Sequence, residues 1–194
     1  MSQGSQETML PEPDTAALLE RAAAGDQRAW NTLVDSYSGL VWAVARSHRL
    51  GSADAADVFQ ATWLRLVEHL GAIREPERLG AWLATTARRE ALAVLRRAGR
   101  DLPVGDLITL EPRDTGGDDA PDSDLLRRER DRALWQAVRE LPGQCQAVLR
   151  LLLLDPPPSY AEVSAALDIP VGSIGPTRAR CLDHLRRRLS SDAA

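Results

Sequence analysis

Apolar residues recur at intervals of three and four along most of this 194-residue chain, which is the spacing of one buried face of an amphipathic α-helix. In the first half the pattern predicts four helices, over residues 15–24, 28–50, 52–70 and 78–97, with Gly- or Pro-containing breaks between them. Short connections between four helices favour an all-α domain, which we place at residues 14–98. Within its third helix the predicted buried stripe consists of Phe59, Trp63, Leu66, Val67 and Leu70.

A second set of helices follows in the last third of the chain. A charged helix is predicted over residues 124–140 and a strongly apolar one over residues 144–154, with a Leu-Pro-Gly turn between them. Two further helices, joined by a tight turn, occupy residues 159–189. We therefore expect a second small all-α domain at residues 124–190.

The last two helices have the features of a helix-turn-helix. Ser159 and Glu162 have the S-x-x-E spacing of a capping box, which satisfies two backbone N–H groups at the start of a helix. Pro170 ends this first helix, Asp168 occupies the turn, and Ser173 is predicted to cap the second helix. A helix, a short turn and an arginine-rich helix are typical of the motif whose second helix enters the major groove of DNA. A plain helical hairpin with a solvated arginine face has the same pattern.

The net charge of −4 is unevenly distributed along the chain. Residues 1–98 carry 11 Arg against 12 Asp and Glu, residues 99–124 carry 2 against 8, and residues 125–194 carry 11 against 8, which gives −1, −6 and +3. The acidic excess therefore lies in one short segment. Its Asp-, Gly- and Pro-rich sequence predicts a flexible acidic linker at residues 99–123, and the polar start, residues 1–13, is predicted to be a disordered tail.

No motif in the sequence predicts a membrane segment or a catalytic site. No apolar run approaches the roughly 20 residues that span a bilayer, and the start lacks the features of a secretory signal, so we expect a soluble cytoplasmic protein. His48, His69 and His184 are scattered, and there is no Gly-rich phosphate loop. Cys145 and Cys181 have neither a metal spacing nor that of a disulfide framework, and we interpret them as two buried small hydrophobes. We expect no enzyme activity, no metal and no cofactor.

The predicted helix over residues 78–97 ends in a basic face. Arg89 and Arg96 lie at i and i+7, close to one line along the helix, and Arg88 and Arg97 flank them. Arginines at a helix C-terminus complement the helix dipole, which is one interpretation of this cluster. Because four arginines exceed that need, contact with a polyanion is the other interpretation.

Three separated blocks of the sequence carry a family resemblance. They are DAADVFQATWL at residues 54–64, WLATTARR at residues 82–89, and Leu141-Pro142 followed by SYAEVSAALDIPVGSI at residues 159–174. These blocks resemble the stretches D-A-E-D-L-V-Q-E-x-F-L, W-L-x-x-I-A-R-N and L-P…S-Y-A-E-[IV]-A-x-x-L-x-I-P-V-G-[ST]-[IV] of one family. It is the extracytoplasmic-function (ECF) branch of bacterial sigma-70 factors.

The resemblance implies a non-enzymatic specificity subunit that binds core RNA polymerase and directs promoter recognition. By resemblance, core polymerase would be bound by Asp54, Asp57, Gln60 and Leu64. The minus-ten promoter element would be bound by Arg74, Arg78, Trp82, Arg88, Arg89 and Arg96. The minus-thirty-five element would be bound by Ser173, Gly175, Pro176, Thr177, Arg178 and Arg180.

The resemblance also implies the partners. They are core RNA polymerase, through its beta-prime clamp and beta flap, promoter DNA and, as a further candidate, an anti-sigma factor, whereas the free protein is expected to be a monomer away from membranes. Gly175 and Pro176 carry no side-chain donors, and Pro176 is expected in the first turn of its helix, so phosphate and backbone contacts are expected there. Two alternatives stay open: a stand-alone helix-turn-helix regulator that binds duplex DNA by itself, and a helical adaptor that binds only protein.

Overall fold

A computed structural model describes residues 14–48, 50–99 and 134–191 of the chain. Every regular element in these residues is helical, so the all-α prediction is confirmed. The predicted tail, residues 100–123 of the predicted acidic linker and the first ten residues of the helix predicted over 124–140 lie outside the described residues. The helices are α1 Thr15–Ala23, α2 Gln27–Arg46, α3 Ser52–His69, α4 Leu79–Arg97, α5 residues 134–139, α6 Gly143–Leu152, α7 Tyr160–Leu167 and α8 Val171–Ser191.

Helices α1 to α4, residues 14–99, are called the first helical unit below, and α5 to α8, residues 134–191, the second. Aspartate side chains begin the first two helices: Asp14 accepts from the N–H of Ala16 at 3.0 Å, and Asp26 from that of Arg28 at 2.9 Å. Two short 3₁₀ turns connect α3 to α4. None of the helices in the described parts is long and apolar enough to cross a membrane.

A large apolar core fills the first helical unit. Leu33, Leu66 and Leu83, from α2, α3 and α4, are completely buried in it. The rings of Trp30 and Trp63 meet edge to face with centroids 5.9 Å apart, a favoured geometry for aromatic pairs. Four of its members come from the second helical unit, so the core is continuous across both units; these are Leu151, Val163, Ala166 and Ile174.

The predicted stripe of α3 is wrong at one position. Val67 is 51% exposed, whereas Val58 and Thr62 are buried. The buried face of α3 is therefore rotated towards the side that faces α2 and α4, and Thr62 satisfies its hydroxyl by donating to the carbonyl of Val58 at 2.8 Å. This rotation places Val67 on the solvent side of the helix.

The most extensive helix contact in the described residues joins α4 of the first unit to α7 of the second. Gly80, in the first turn of α4, is buried against the side chain of Glu162. A Cβ at position 80 would lie 2.6 Å from the Cδ atom of Glu162, so the absence of a side chain allows this close approach. The two units therefore meet at the N-terminal half of α4.

The helix-turn-helix forms as predicted in its first half. Ser159 Oγ accepts from the N–H of Glu162 at 3.3 Å, and the Glu162 carboxylate accepts from the N–H of Ser159 at 2.6 Å, which completes the capping box. Asp168 ends α7 in the left-handed region with φ 57°, a conformation that aspartate tolerates better than most residues. The turn is closed by the hydroxyl of Ser164, which donates to the carbonyl of Ile169 at 2.7 Å.

The start of the second helix differs from the prediction. Helix α8 begins at Val171, so Ser173 is inside it rather than at its cap. The Ser173 N–H donates to the carbonyl of Pro170 at 2.9 Å, which forms the first turn directly after the proline. Pro176 is consequently beyond the first turn, where its ring nitrogen cannot bond the carbonyl of Gly172.

The prediction for the cysteines is also wrong. Cys145 of α6 and Cys181 of α8 form a disulfide with Cα atoms 5.3 Å apart. They are 36 residues apart in sequence, and the packing of α6 against α8 brings them together. Cys181 is fully buried, as expected of a small hydrophobe, but its sulfur is covalently bonded.

Candidate nucleic-acid and protein interfaces

Helix α3 presents an exposed stripe that contains most of the predicted polymerase-binding residues. Asp57, Gln60, Leu64 and Val67 follow one another at i, i+3, i+7 and i+10 and all face solvent. Leu64 is 60% exposed and Val67 is 51% exposed, so two adjacent aliphatic side chains lie in water. We call these four residues the α3 stripe; Asp54 is half-buried one turn before it. The pair forms a small apolar patch beside a carboxylate and an amide, which suits contact with another protein.

Sequence reasoning missed Val67 of this stripe and Trp42 of the neighbouring helix α2. Val67 was assigned to the core, although its spacing from Asp57 continues the exposed line. Trp42 of α2 is 41% exposed and packs edge to face on Phe59, with ring centroids 5.7 Å apart. The signal for Trp42 was its absence from the apolar repeat of α2, whose buried positions include its neighbours Val41 and Ala43.

A groove of about 530 Å³ lies between α3 and the C-terminal half of α4. Its polar residues include Asp54, Asp57, Glu90 and Arg97. Arg65 joins the two helices beside it by donating to Glu90 at 3.2 Å and to Glu68 at 3.0 Å. These hydrogen bonds, that to Glu68 first, raise the pKa of Arg65. The ion pair links the two helices next to the stripe.

Most of the predicted minus-ten residues are accessible. Arg74 and Arg78 are exposed in the connection before α4, and Arg78 pairs with Glu75 at 3.0 Å. Arg89 and Arg96 are exposed on α4 itself. Trp82 is half-buried beside the ring of His69, with centroids 6.0 Å apart.

Arg88 differs from these residues because it is engaged by the second helical unit. Its side chain is 22% exposed and donates to the carboxylate of Asp168, the left-handed residue of the helix-turn-helix. Its positive charge also acts on His48, whose ring is buried without a hydrogen-bond partner for either nitrogen. Burial, with a smaller contribution from the positive charge of Arg88, lowers the pKa of His48 to about 4. Arg88 therefore lies at the joint between the two units.

The predicted minus-thirty-five residues are only partly on the surface. Pro176, Arg178 and Arg180 are exposed, and Gly175 has open space where a side chain would begin. Thr177 is 6% exposed, and its hydroxyl accepts from Arg180 at 3.2 Å. Ser173 is half-buried and its hydroxyl donates to the carbonyl of Pro170 at 2.7 Å. The exposed face of the first turns of α8 therefore consists of small or apolar residues and two arginines; they are Val171, Gly172, Pro176, Arg178, Ala179 and Arg180.

The parts of the chain that the structure describes contain no candidate metal-binding site. No group of three or more His, Cys, Asp or Glu side chains in these residues has a metal-binding arrangement. The exposed surfaces are built instead from arginines on α4 and α8 and from the mixed stripe on α3, which suits contacts with nucleic acid and with protein.

Known proteins resemble this chain in sequence and in fold. The sequence model of Sigma-70 region 2 matches residues 33–101. The ECF RNA polymerase sigma-E factors of Salmonella typhimurium (strain 14028s) and Escherichia coli (strain K12) are each 29% identical over 163 residues, which is 81% of this chain and 84% of the relative. The sigma-E factor of Haemophilus influenzae is 27% identical over 164 residues, with 81% of this chain and 86% of the relative covered. Among solved structures, CnrH in complex with the cytosolic domain of CnrY matches with a TM-score of 0.57 and 22% identity, over 93% of this chain and 99% of that chain.

Proposed function

Because the chain belongs to the ECF branch of the sigma-70 family of RNA polymerase sigma factors, we propose that it docks on core polymerase through the α3 stripe and directs promoter recognition with α4 and α8. The matched region 2 spans α3 and α4 completely, so both proposed surfaces of the first unit lie inside it. As a sigma factor it is a specificity subunit, and the polymerase performs the chemistry. It works where core polymerase is, in the bacterial cytoplasm.

The α3 stripe is the observation that carries the polymerase-binding part of the proposal. Leu64 and Val67 are aliphatic and mostly exposed. Exposing this apolar surface to water costs free energy, and that free energy is recovered when a partner covers the two side chains. Asp57 and Gln60 extend the same line with polar groups that fix orientation. The predicted partner surface is the beta-prime clamp, and the beta flap is the predicted partner of the second unit.

The promoter contacts are proposed for the exposed arginines. Arg78, Arg89 and Arg96 would hold the phosphates of the minus-ten strand while Trp82 stacks on an unpaired base. On α8, Arg178 and Arg180 would contact phosphates that flank the minus-thirty-five element. Gly175 leaves room for the DNA backbone to approach α8 closely, which favours positioning contacts over direct base readout there.

Promoter binding also requires the two helical units to separate. The minus-ten and minus-thirty-five elements lie about 25 base pairs apart, which is roughly 85 Å of B-DNA. In this conformation Arg88 of the minus-ten surface is paired with Asp168, five residues before Ser173 of the minus-thirty-five surface. One compact molecule cannot reach both elements, so the α4–α7 contact must open on the polymerase.

An anti-sigma factor is a further proposed partner. The similar structure contains CnrH bound to the cytosolic domain of another protein, CnrY. A cleft of about 520 Å³ between the first unit and the loop before α7 offers a place for a partner segment; its polar residues include Asp35, Asp155 and Glu162. A partner seated there would contact both units at once and hold them together.

The test is in-vitro transcription from the promoter of the protein's own operon, with core polymerase alone and with the chain added. We expect transcription only with the chain. The variant Asp57→Arg with Gln60→Ala should lose co-purification with core polymerase while its stability changes by no more than about 0.5 kcal/mol, since both residues are exposed. A matched control on another face, Glu20→Arg with Gln27→Ala, also exchanges one acid and one amide at exposed positions and should bind as wild type.

Two results would favour other functions. Nanomolar binding of the free chain to duplex promoter at physiological salt would indicate a stand-alone regulator, because a sigma factor with net charge −4 and two small basic surfaces should bind duplex weakly by itself. Normal transcription by the variants Arg178→Ala and Arg180→Ala would indicate that these arginines form a solvated face.

A further inference from the structure

The disulfide closes a loop that contains most of the helix-turn-helix. Cys145 lies in the first turn of α6 and Cys181, at a sequence separation of 36, lies in the middle of α8, so the loop between them contains α7, the turn and the first half of α8. Every residue predicted to contact the minus-thirty-five element, from Ser173 to Arg180, is inside this loop. The position of α8 on α6 is therefore tied covalently at the end of its proposed DNA-binding segment.

In residues 134–191, the part of this domain that the structure describes, the second helical unit has little core of its own beside this bond. One small cluster holds Val138 and Ala147 as its buried members, and another holds Leu141, Leu149 and Cys181. Three other large buried side chains of this unit belong instead to the core that it shares with the first unit; they are Leu151, Val163 and Ile174. Once the units separate, as the proposed function requires, those side chains lose their partners across the joint.

A unit of this size with two small clusters is marginally stable, and such units commonly depend on covalent cross-links. The disulfide is the one cross-link in the described residues. The disulfide therefore contributes most to the stability of the second unit in the separated conformation, where the shared core no longer supports α8. In the closed conformation the same helix is held by packing as well.

The two sulfurs differ in access. Cys181 is fully buried among apolar neighbours that include Leu141 and Leu149, whereas Cys145 is only partly buried. A reagent from solution therefore reaches the Cys145 sulfur first. Disulfides in compartments that hold core polymerase meet reducing thiols, and cytosolic disulfides are mostly transient and redox-sensing rather than permanent.

We propose that the Cys145–Cys181 disulfide is a redox switch on promoter recognition: the oxidised chain keeps the helix-turn-helix assembled after the units separate, and reduction releases α8 from α6 and weakens minus-thirty-five binding. This inference rests on the proposed function. The switch belongs to the sigma factor itself, and it acts on the second unit alone.

The chemistry is ordinary thiol–disulfide exchange. A thiolate of a dithiol reductant attacks the Cys145 sulfur, which forms a mixed disulfide and releases Cys181 as a thiolate that takes up a proton. The second thiol of the reductant then attacks its own sulfur in the mixed disulfide, leaves as a cyclic disulfide and frees Cys145. Two electrons and two protons pass from the reductant to the protein. A low-molecular-weight disulfide reverses the same steps and is itself reduced to two thiols.

The test uses the full chain with core polymerase on two templates, the promoter of its own operon and the same promoter with a scrambled minus-thirty-five element. Oxidised and dithiothreitol-reduced protein are compared after maleimide labelling has counted the free thiols. Reduction should lower transcription from the intact template by about tenfold, whereas core polymerase should still co-purify through the α3 stripe, which lies in the other unit. The variant Cys145→Ser with Cys181→Ala should transcribe at the reduced level with or without dithiothreitol.

Hydrogen exchange of the polymerase-bound chain provides an independent readout. The amides of α6 and α8 should exchange faster after reduction, while those of α2 and α3 keep their rates. The inference is overturned if the labelled, fully reduced protein transcribes the intact template as well as the oxidised protein, or if α8 exchange is unchanged. Failure of the oxidised chain to bind core polymerase would contradict the proposed function instead, and the α8 exchange of the free chain would still report on the disulfide.

Discussion

The two helical units are stabilised in different ways. The first unit buries large aliphatic side chains from three long helices in one core, with Leu33, Leu66 and Leu83 completely inaccessible. The second unit has only small clusters of its own, and it adds a disulfide, a capping box and contacts with the first unit. The first unit is thus suited to keep its structure when it binds a partner. The second unit is suited to exchange its contacts with the first unit for contacts with other partners. This difference fits a chain in which one unit docks and the other must detach to reach a distant DNA element.

The largest effect should come from the core of the first unit. Leu83→Ala removes a completely buried side chain of α4 and should lower the free energy of unfolding by about 3–4 kcal/mol, because the rigid surroundings cannot close the cavity. The measurement is urea denaturation of the full chain. Val67→Ala, on an exposed position of the same unit, is the control and should cost less than about 0.5 kcal/mol. Equal losses at the two positions would contradict the assignment of the core.

A pH dependence follows from His48 in the same unit. Burial lowers its pKa in the folded state to about 4, from an ordinary value near 6.5. Between these values the unfolded chain binds a proton that the folded chain does not, so stability falls as the pH is lowered from about 6.5 to 4 and this contribution is constant outside that window. The loss should reach up to about 3 kcal/mol, measured by denaturation at several pH values.

The histidine variants isolate this effect from that of the carboxylates. His48→Leu fills the apolar site without a titratable group and should remove most of the slope between pH 6.5 and 4. His184→Gln changes an exposed histidine of the second unit and should keep the slope. An unchanged slope in His48→Leu would mean that other groups cause the acid sensitivity.

The local features of the fold were predictable because they depend on residues close in sequence. The period of three to four in apolar residues predicts the α-helices, and the pair Ser159 and Glu162 predicts the start of α7. Asp57, Gln60 and Leu64 lie outside the predicted buried stripe of α3, and the structure exposes all three. These signals need only the geometry of one helix.

The predictions that failed concern features that depend on distant parts of the chain or on the details of one turn. Val67 is exposed because the neighbours of α3 select a rotated face, which the pattern of α3 alone does not specify. Cys145 and Cys181 meet only after α6 packs on α8, and no spacing rule predicts one pair over 36 residues. Helix α8 begins directly after Pro170 because a proline can precede a helix as readily as end one, so Ser173 is too late to be its cap.

A smaller effect is expected from the capping box in the second unit. Ser159→Ala removes the side chain that accepts from the N–H of Glu162 at the start of the eight-residue α7. The expected loss is about 1 kcal/mol of unfolding free energy. Ser36→Ala, an exposed serine whose hydroxyl donates within α2, is the control and should cost less. Hydrogen exchange should locate the change in α7, and a uniform increase across both units would contradict this assignment.

The smallest effect concerns the joint between the units. Asp168→Asn removes the charge that pairs with Arg88 and keeps a residue type that tolerates the left-handed backbone at φ 57°. Asp168 is 71% exposed, so solvent screens the pair and its coupling energy should be only about 0.5 kcal/mol. A double-mutant cycle with Arg88→Gln measures that coupling.

The control is the pair Asp183 and Arg187, 3.3 Å apart within α8. Breaking it should cost a similar amount without affecting the joint, so the α7 amides should exchange faster in Asp168→Asn than in Asp183→Asn. Equal exchange in both variants would mean that packing alone, at Gly80 and its neighbours, holds the two units together.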